Sequence, residues 1–284
     1  MIELLIEPLS FGTTWRALVE ILILGALGGI LSSWVVLYRL SYGAESLAHG
    51  MLPGLVLAAL VGLPLLVGGL VGILVAGILV AVAARMPMAE PDTAIAVVVT
   101  TLFGAGILMA LSPASPPGIG ELLFGNLLGT TTDGILISAI VAVFVLALLW
   151  LLHPRLLAVG FDGDAAGFAR MPVRLVEVVL LMIVAVTVLV SVQALGTLLV
   201  AALLVGPAAT ARLLTRRLGP MLLISTGVAV LAGVGGIYAS YYLKTAAGAS
   251  VVVLIVTFFL LAGLTSALAN RHRAGSDLAV PEQG

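Results

Sequence analysis

The chain contains no cysteine. That excludes disulfides, thiolate metal sites and cysteine nucleophiles, and it leaves the redox compartment open. Charge is scarce as well. Asp, Glu, Lys and Arg make up 9% of the 284 residues, where soluble domains carry about 25%. Lys244, in YYLKTAAG, is the only lysine, and no G-x-x-x-x-G-K-[ST] phosphate-binding loop is present. The three histidines, His49, His153 and His272, are far apart, and there is no H-E-x-x-H. A serine-protease G-x-S-G element within a span is missing, as is the acid pair of an intramembrane aspartyl protease, so no catalysis is expected from this chain alone. A net charge of −1 gives no electrostatic reason for a nucleic-acid partner.

What is abundant is apolar. Hydrophobic residues make up 62%, with a mean hydropathy of +1.31. That much apolar surface cannot be hidden inside a water-soluble globule. The apolar runs are unbroken rather than alternating, which argues against a β-barrel. The expected fold is an all-α, polytopic membrane helix bundle. The amino-terminal MIELLIEPLSFGTTWR carries Glu3 and Glu7 where a signal peptide would be basic, so it does not read as one.

A bilayer crossing needs about 20 apolar residues. About nine stretches qualify or nearly do, with eight as the alternative count: 17–38, 46–63, 64–84, 93–111, 133–152, 175–193, 194–213, 219–239 and 248–269. The second and third share a Gly62–Leu63–Pro64 turn, and the sixth and seventh a turn near Gln193–Gly196. No soluble domain fits between spans. Residues 1–270 read as a single transmembrane domain, and 271–284 as a short polar tail expected to be disordered. With nine spans the termini lie on opposite sides. A cytoplasmic carboxyl terminus puts Arg39, Arg85, Arg155, Arg170, Arg174, Arg212, Arg216, Arg217, Arg271 and Arg273 inside, leaving Arg16 and Lys244 outside. The positive-inside rule selects that orientation, with the amino terminus outside. In the outer connection 112–132, ELLFGNLLG is apolar yet too short to span; it fits a short interfacial helix or one that re-enters the bilayer.

Ionisable groups at membrane depth are costly and mark pathways or partners. Glu45 and His49 stand at i and i+4, hence on one helix face. Pro53, four residues further on, cannot donate to the His49 carbonyl. A carboxylate, an imidazole and a freed carbonyl therefore converge, and such a donor set suits Zn²⁺, Mn²⁺ or Fe²⁺. The plainer alternative is an interfacial Glu45 paired with Arg39 or Arg16 and a His49 that only bonds a neighbouring helix. Pro207 frees the Leu203 carbonyl and bends the seventh span, with Thr210 near enough to lend an oxygen; a packing kink is the plainer reading and is preferred over a ligand role. Arg16 and Glu20 are also at i, i+4, and read as a surface pair at the outer end of the first span.

Four stretches carry a resemblance: YRLSYGAESLAHGMLPG, EPDTAIAVVVTTLFGAGI, FDGDAAGFARMPVRLVEVVLL and QALGTLLVAALLVGPAATARLLTRRL; YYLKTAAGASVVVL also fits. In order, and over nearly the whole chain, they resemble the integral-membrane permeases of manganese, zinc and iron ABC importers. The resemblance implies a permease of the prokaryotic cytoplasmic (inner) membrane that pairs with a second copy of itself. It further implies two copies of a cytoplasmic ATPase and a metal-loaded solute-binding protein docking from outside. No permanently bound cofactor is implied; the divalent metal is cargo, with zinc ahead of manganese or iron. Glu45 and His49 fall on the family's pore Asp and His. Phe161, Asp162, Gly163, Asp164, Phe168, Arg170 and Pro172 fall on the segment that couples to the ATPase. In the residues themselves Asp162 is an N-cap candidate for a short helix over 163–170, with Phe161 and Phe168 as apolar contacts. The chain departs from the family at Glu45 (an Asp there), Ala48 (a Ser) and Lys244 (often an Asp). Two other classes fit the residues alone: a secondary carrier or channel using Glu45 without an ATPase, and a permease for a siderophore or cobalamin chelate.

Overall fold

The computed structural model describes residues 7–83, 91–113, 115, 116, 118 and 121–277. Among them all regular structure is helical. The helices are α1 (Gly12–Leu37), α2 (Ser41–Gly50), α3 (Leu52–Val61), α4 (Leu65–Ala83), α5 (Pro91–Ala110), α6 (Glu121–Phe124), α7 (Thr132–Phe161), α8 (Gly163–Phe168), α9 (Val173–Leu214), α10 (Leu218–Leu243) and α11 (Ala247–Asp277). Counting α2 and α3 as one bent span, eight are long and apolar enough to cross a membrane.

One of the eight crosses twice. At about 1.5 Å per residue, the 42 residues of α9 would reach twice through hydrocarbon about 30 Å thick. Gly196 breaks it, with φ 74° and ψ 162°, a conformation only glycine adopts easily. Using α1 as a ruler, Glu177 in the first limb sits near Tyr38 at the end of α1. Val190, Gln193 and Ala194 share a cavity with Glu20, near its start. Past Gly196 the chain returns: Leu203 meets Gly28, and Ala208 and Ala211 pack with Val36. The described residues thus pass through the bundle nine times, with the turn where the sequence places it.

α1 is the central post. Leu24, Leu27, Leu31 and Trp34 are fully buried. Glycines bring α10 against it: a Cβ on Gly29 would stand 2.7 Å from Thr226 Cα. Ser33 and Ser225 hydrogen-bond at 2.8 Å, and Ser225 also donates to the Gly29 carbonyl at 2.7 Å. Small residues with a polar clasp are what hold helices together where lipid removes the hydrophobic drive. At the far end Tyr38 donates to the Leu156 carbonyl at 2.8 Å.

Between α5 and α7, α6 is followed by Gly125 at φ 78° and a 3-10 turn, Leu127–Gly129. Leu127 is buried, and a Cβ on Gly125 would collide with the Leu195 carbonyl. This segment reaches the level of Glu20, eight residues or about 12 Å down α1. It therefore re-enters the bundle, where non-helical backbone is tolerated because protein covers it.

The helix α11 continues to Asp277, through residues 271–277 that the sequence assigns to a disordered tail; 278–284 lie outside the described residues. So does Arg85. Nine of the twelve basic residues lie toward the face where α1 ends, and Arg16 and Lys244 toward the other.

Candidate metal site

The span that carries Glu45 and His49 is broken, as its sequence requires. α2 stops at Gly50, Met51 forms the joint, and Pro53 occupies the first turn of α3, where its missing N–H costs nothing. The Met51 N–H donates to the Leu47 carbonyl at 3.3 Å. Glycines press the joint onto α4: a Cβ on Gly72 would lie 2.6 Å from the Met51 carbonyl oxygen, and one on Gly54 2.7 Å from Gly72 Cα. Gly62, at φ 76°, ends α3 and sets the hairpin to α4.

α5 runs alongside α2 and walls the pair. Tyr42, Glu45, Ser46 and His49 face Ala96, Val99, Thr100 and Phe103 across a cavity of about 120 Å³. His49 Nε2 stands 3.9 Å from Glu45 Oε1, too long for a hydrogen bond. Two donors each about 2.1 Å from one ion can be at most about 4.2 Å apart, so a single metal can bridge them. The imidazole lies against Phe103, ring centres 4.6 Å apart, and its Nδ1 is buried without a hydrogen-bond partner. The Glu45 side chain is 52% exposed and His49 15%, so the pair opens to a face that this chain does not cover. Among the described residues no cluster of three or more His, Asp or Glu side chains could hold a metal; one chain offers two charged or imidazole donors and no closed cage.

Tyr42, Thr100 and Phe103 were not singled out from the sequence. Ala96, Val99, Thr100 and Phe103 recur at helical spacing in the quoted EPDTAIAVVVTTLFGAGI stretch, which is the signal that could have found them. Glu90 of that stretch lies outside the described residues.

The other expected residues lie elsewhere. Pro207 is buried within the second limb of α9, whose backbone is non-helical only at Gly196. The Thr210 hydroxyl donates to the Gly206 carbonyl at 2.8 Å; neither residue joins the Glu45–His49 cavity. The segment 161–172 does form a short helix, α8. Asp162 caps it, its Oδ1 accepting from Ala165 N–H at 2.9 Å, and Arg170 follows at φ 59°. Phe161 is 64% and Phe168 91% exposed, an unusual place for two aromatic rings. Gly163, Asp164 and Pro172 complete the turn between α7 and α9.

The surface pair expected of Arg16 and Glu20 is not formed. Glu20 is 1% exposed and accepts from Ser138 Oγ at 2.6 Å, because α7 packs across that face of α1. Its Oε2 and Arg16 Nε are buried without hydrogen-bond partners.

A polytopic helical bundle of this kind defines a multi-pass membrane protein. The family model described as the ABC 3 transport family matches residues 10–266, and the chain belongs to that family. It is a transport subunit and not an enzyme; the ATPase is a separate chain. A probable iron transport system membrane protein from Haemophilus influenzae is 29% identical, over 92% of this chain and 97% of that protein. The manganese transport system membrane protein MntC of Halalkalibacterium halodurans is 28% identical, over 90% of this chain and 88% of its own length. Among solved structures, PsaBC from Streptococcus pneumoniae in complex with Fab superposes with a TM-score of 0.83 at 28% identity, covering 92% of this chain and 95% of that one.

Proposed function

We propose that this chain is the permease of an ABC importer that moves a divalent transition metal ion across a prokaryotic inner membrane. The observation that carries the reading is the Glu45–His49 pair, 3.9 Å apart in a cavity of about 120 Å³. Such a space holds about four waters at ~30 Å³ each. It fits a bare or partly hydrated ion, and a siderophore or cobalamin would need no carboxylate–imidazole pair. The carboxylate offsets the cost of bringing a divalent charge into low dielectric. The imidazole favours transition metals over Mg²⁺ and Ca²⁺. Two side-chain donors hold the ion weakly enough to release it.

The half-exposed Glu45 fits a dimer in which a second copy brings its own pair to the same axis. The sequence alone places zinc first. The relatives named for manganese and iron move Mn²⁺ and Fe²⁺ ahead of it, since a mixed nitrogen and oxygen set accepts all three. α8, with Phe161 and Phe168 bared, is the docking helix for the ATPase. It lies on the arginine-rich face, which the positive-inside rule makes cytoplasmic. The binding protein then docks at the face bearing Arg16 and Lys244. Uptake of ⁵⁴Mn, ⁵⁵Fe and ⁶⁵Zn by the complete complex in proteoliposomes tests the reading. ATP-driven uptake of at least one is expected; uptake without ATP or ATPase would contradict it.

A further inference from the structure

A second polar cavity, of about 240 Å³, lies near the opposite face from the pair. Its wall is made by Glu20 of α1, Asn126 and Thr130 of the re-entrant segment, Thr131, Ser138 of α7 and Gln193 of α9. Nothing in the proposed metal path uses these residues. Met51, Leu55 and Leu189 close around Gly69 between the two cavities.

We propose that this cavity is a second, weak binding site for a hard divalent cation of the Mn²⁺ and Ca²⁺ kind, with Glu20 as its anionic ligand. Glu20 is 1% exposed, and its Oε2, buried and accepting no hydrogen bond, belongs to the carboxylate that lines the cavity. A buried carboxylate oxygen with nothing to accept is costly unless a cation or proton sits there. Two of the hydroxyls around it have already committed their protons. Ser138 donates to Glu20 Oε1 at 2.6 Å and Thr130 to the Leu127 carbonyl at 2.8 Å. Asn126 Oδ1 already accepts from Gly129 N–H, at 2.8 Å, which fixes that oxygen in place. What the wall offers a cation is oxygen, from Glu20 and from the side chains of Asn126, Thr130, Thr131, Ser138 and Gln193, with no imidazole and no thiolate. Oxygen-only sites take hard cations. The volume equals about eight waters at ~30 Å³ each, so an ion fits with most of its hydration shell, and one carboxylate keeps the affinity low. The site therefore differs in chemistry from the Glu45–His49 pair and stands whether or not that pair carries metal.

The test uses the full chain in lipid nanodiscs, with Glu45→Gln and His49→Ala together to silence the pair. Free Mn²⁺ is followed by electron paramagnetic resonance. The expected result is one Mn²⁺ per chain, displaced by Ca²⁺. Adding Glu20→Gln weakens binding at least about tenfold, the usual scale for altering a ligand set. If that variant does not assemble, Gln193→Lys decides instead. Gln193 is exposed at the cavity, so its ammonium is tolerated by the fold and repels the ion, with the same tenfold loss. No Mn²⁺ bound to the pair-silenced chain, or binding unchanged by the deciding variant, overturns the proposal.

Discussion

Two pairs at identical spacing, Arg16 with Glu20 and Glu45 with His49, end in opposite surroundings. On each helix the two side chains share a face. What differs is the neighbour across that face. Opposite Glu20, α7 brings Ser138 into contact, and the carboxylate is buried at 1% exposure. Opposite Glu45, α5 leaves a cavity, and the carboxylate is 52% exposed. Spacing within a helix fixes which side chains look the same way; only packing decides what they look at. The carboxylate expected at the surface is the buried one, and the one expected in the pore is accessible from an uncovered face.

Charge reversal gives the largest separation between the two regions. Glu20→Lys puts a longer, cationic side chain into a buried position one turn from Arg16 on the same face, and should lower stability by about 3 kcal/mol or more. Glu45→Lys, half-exposed, should assemble at wild-type yield and transport nothing. Thermal unfolding in detergent, with yield of the assembled complex, checks both. Equal losses of stability at the two positions would erase the distinction between them.

The platform beneath the pair comes next. A methyl on Gly72 meets the Met51 carbonyl at 2.6 Å, whereas one on Gly77, in the same helix, meets nothing within 4 Å. Gly72→Ala should cost about 1–3 kcal/mol as overpacking. Gly77→Ala should be neutral, or stabilising by up to about 1 kcal/mol through helix propensity. Melting temperatures that fall equally for both would mean that the α2–α3 joint is not held by close approach to α4.

The connector offers a smaller structural effect. Removing the Asp162 cap with Asp162→Ala should cost about 1 kcal/mol, read as faster amide exchange in α8 alone. Phe168→Asp changes a side chain that is 91% exposed, so the melting temperature should not move, yet ATP hydrolysis should no longer drive uptake. Coupled transport by that variant would remove α8 from the ATPase interface. A cysteine at Ser115 should react with an impermeant reagent added outside, and one at Thr215 should not; the reverse labelling inverts the orientation.

Much of this was legible in the residues. Pro53, Gly62 and Gly196 each mark a backbone that cannot continue as helix, and the chain breaks or turns at all three sites. Asp162 before Gly-Asp-Ala-Ala announces the capped helix, since a side-chain oxygen there satisfies an orphan N–H. Burial was not legible, because it depends on distant partners: Ser138 stands 118 residues from Glu20. Pro207 removes one hydrogen bond within the second limb of α9 without taking its backbone out of the helical region, and Ala208, Ala211 and Met221 pack together beside it.

The central claim is that Glu45 and His49 together carry the metal. Its most direct test is ATP-driven uptake of Mn²⁺, Fe²⁺ and Zn²⁺ by Glu45→Gln and His49→Ala permeases, each shown to be assembled with its ATPase at wild-type levels. The expected result is uptake lowered at least about tenfold for each variant, with assembly and basal ATP hydrolysis unchanged. Wild-type uptake by both variants would contradict the assignment.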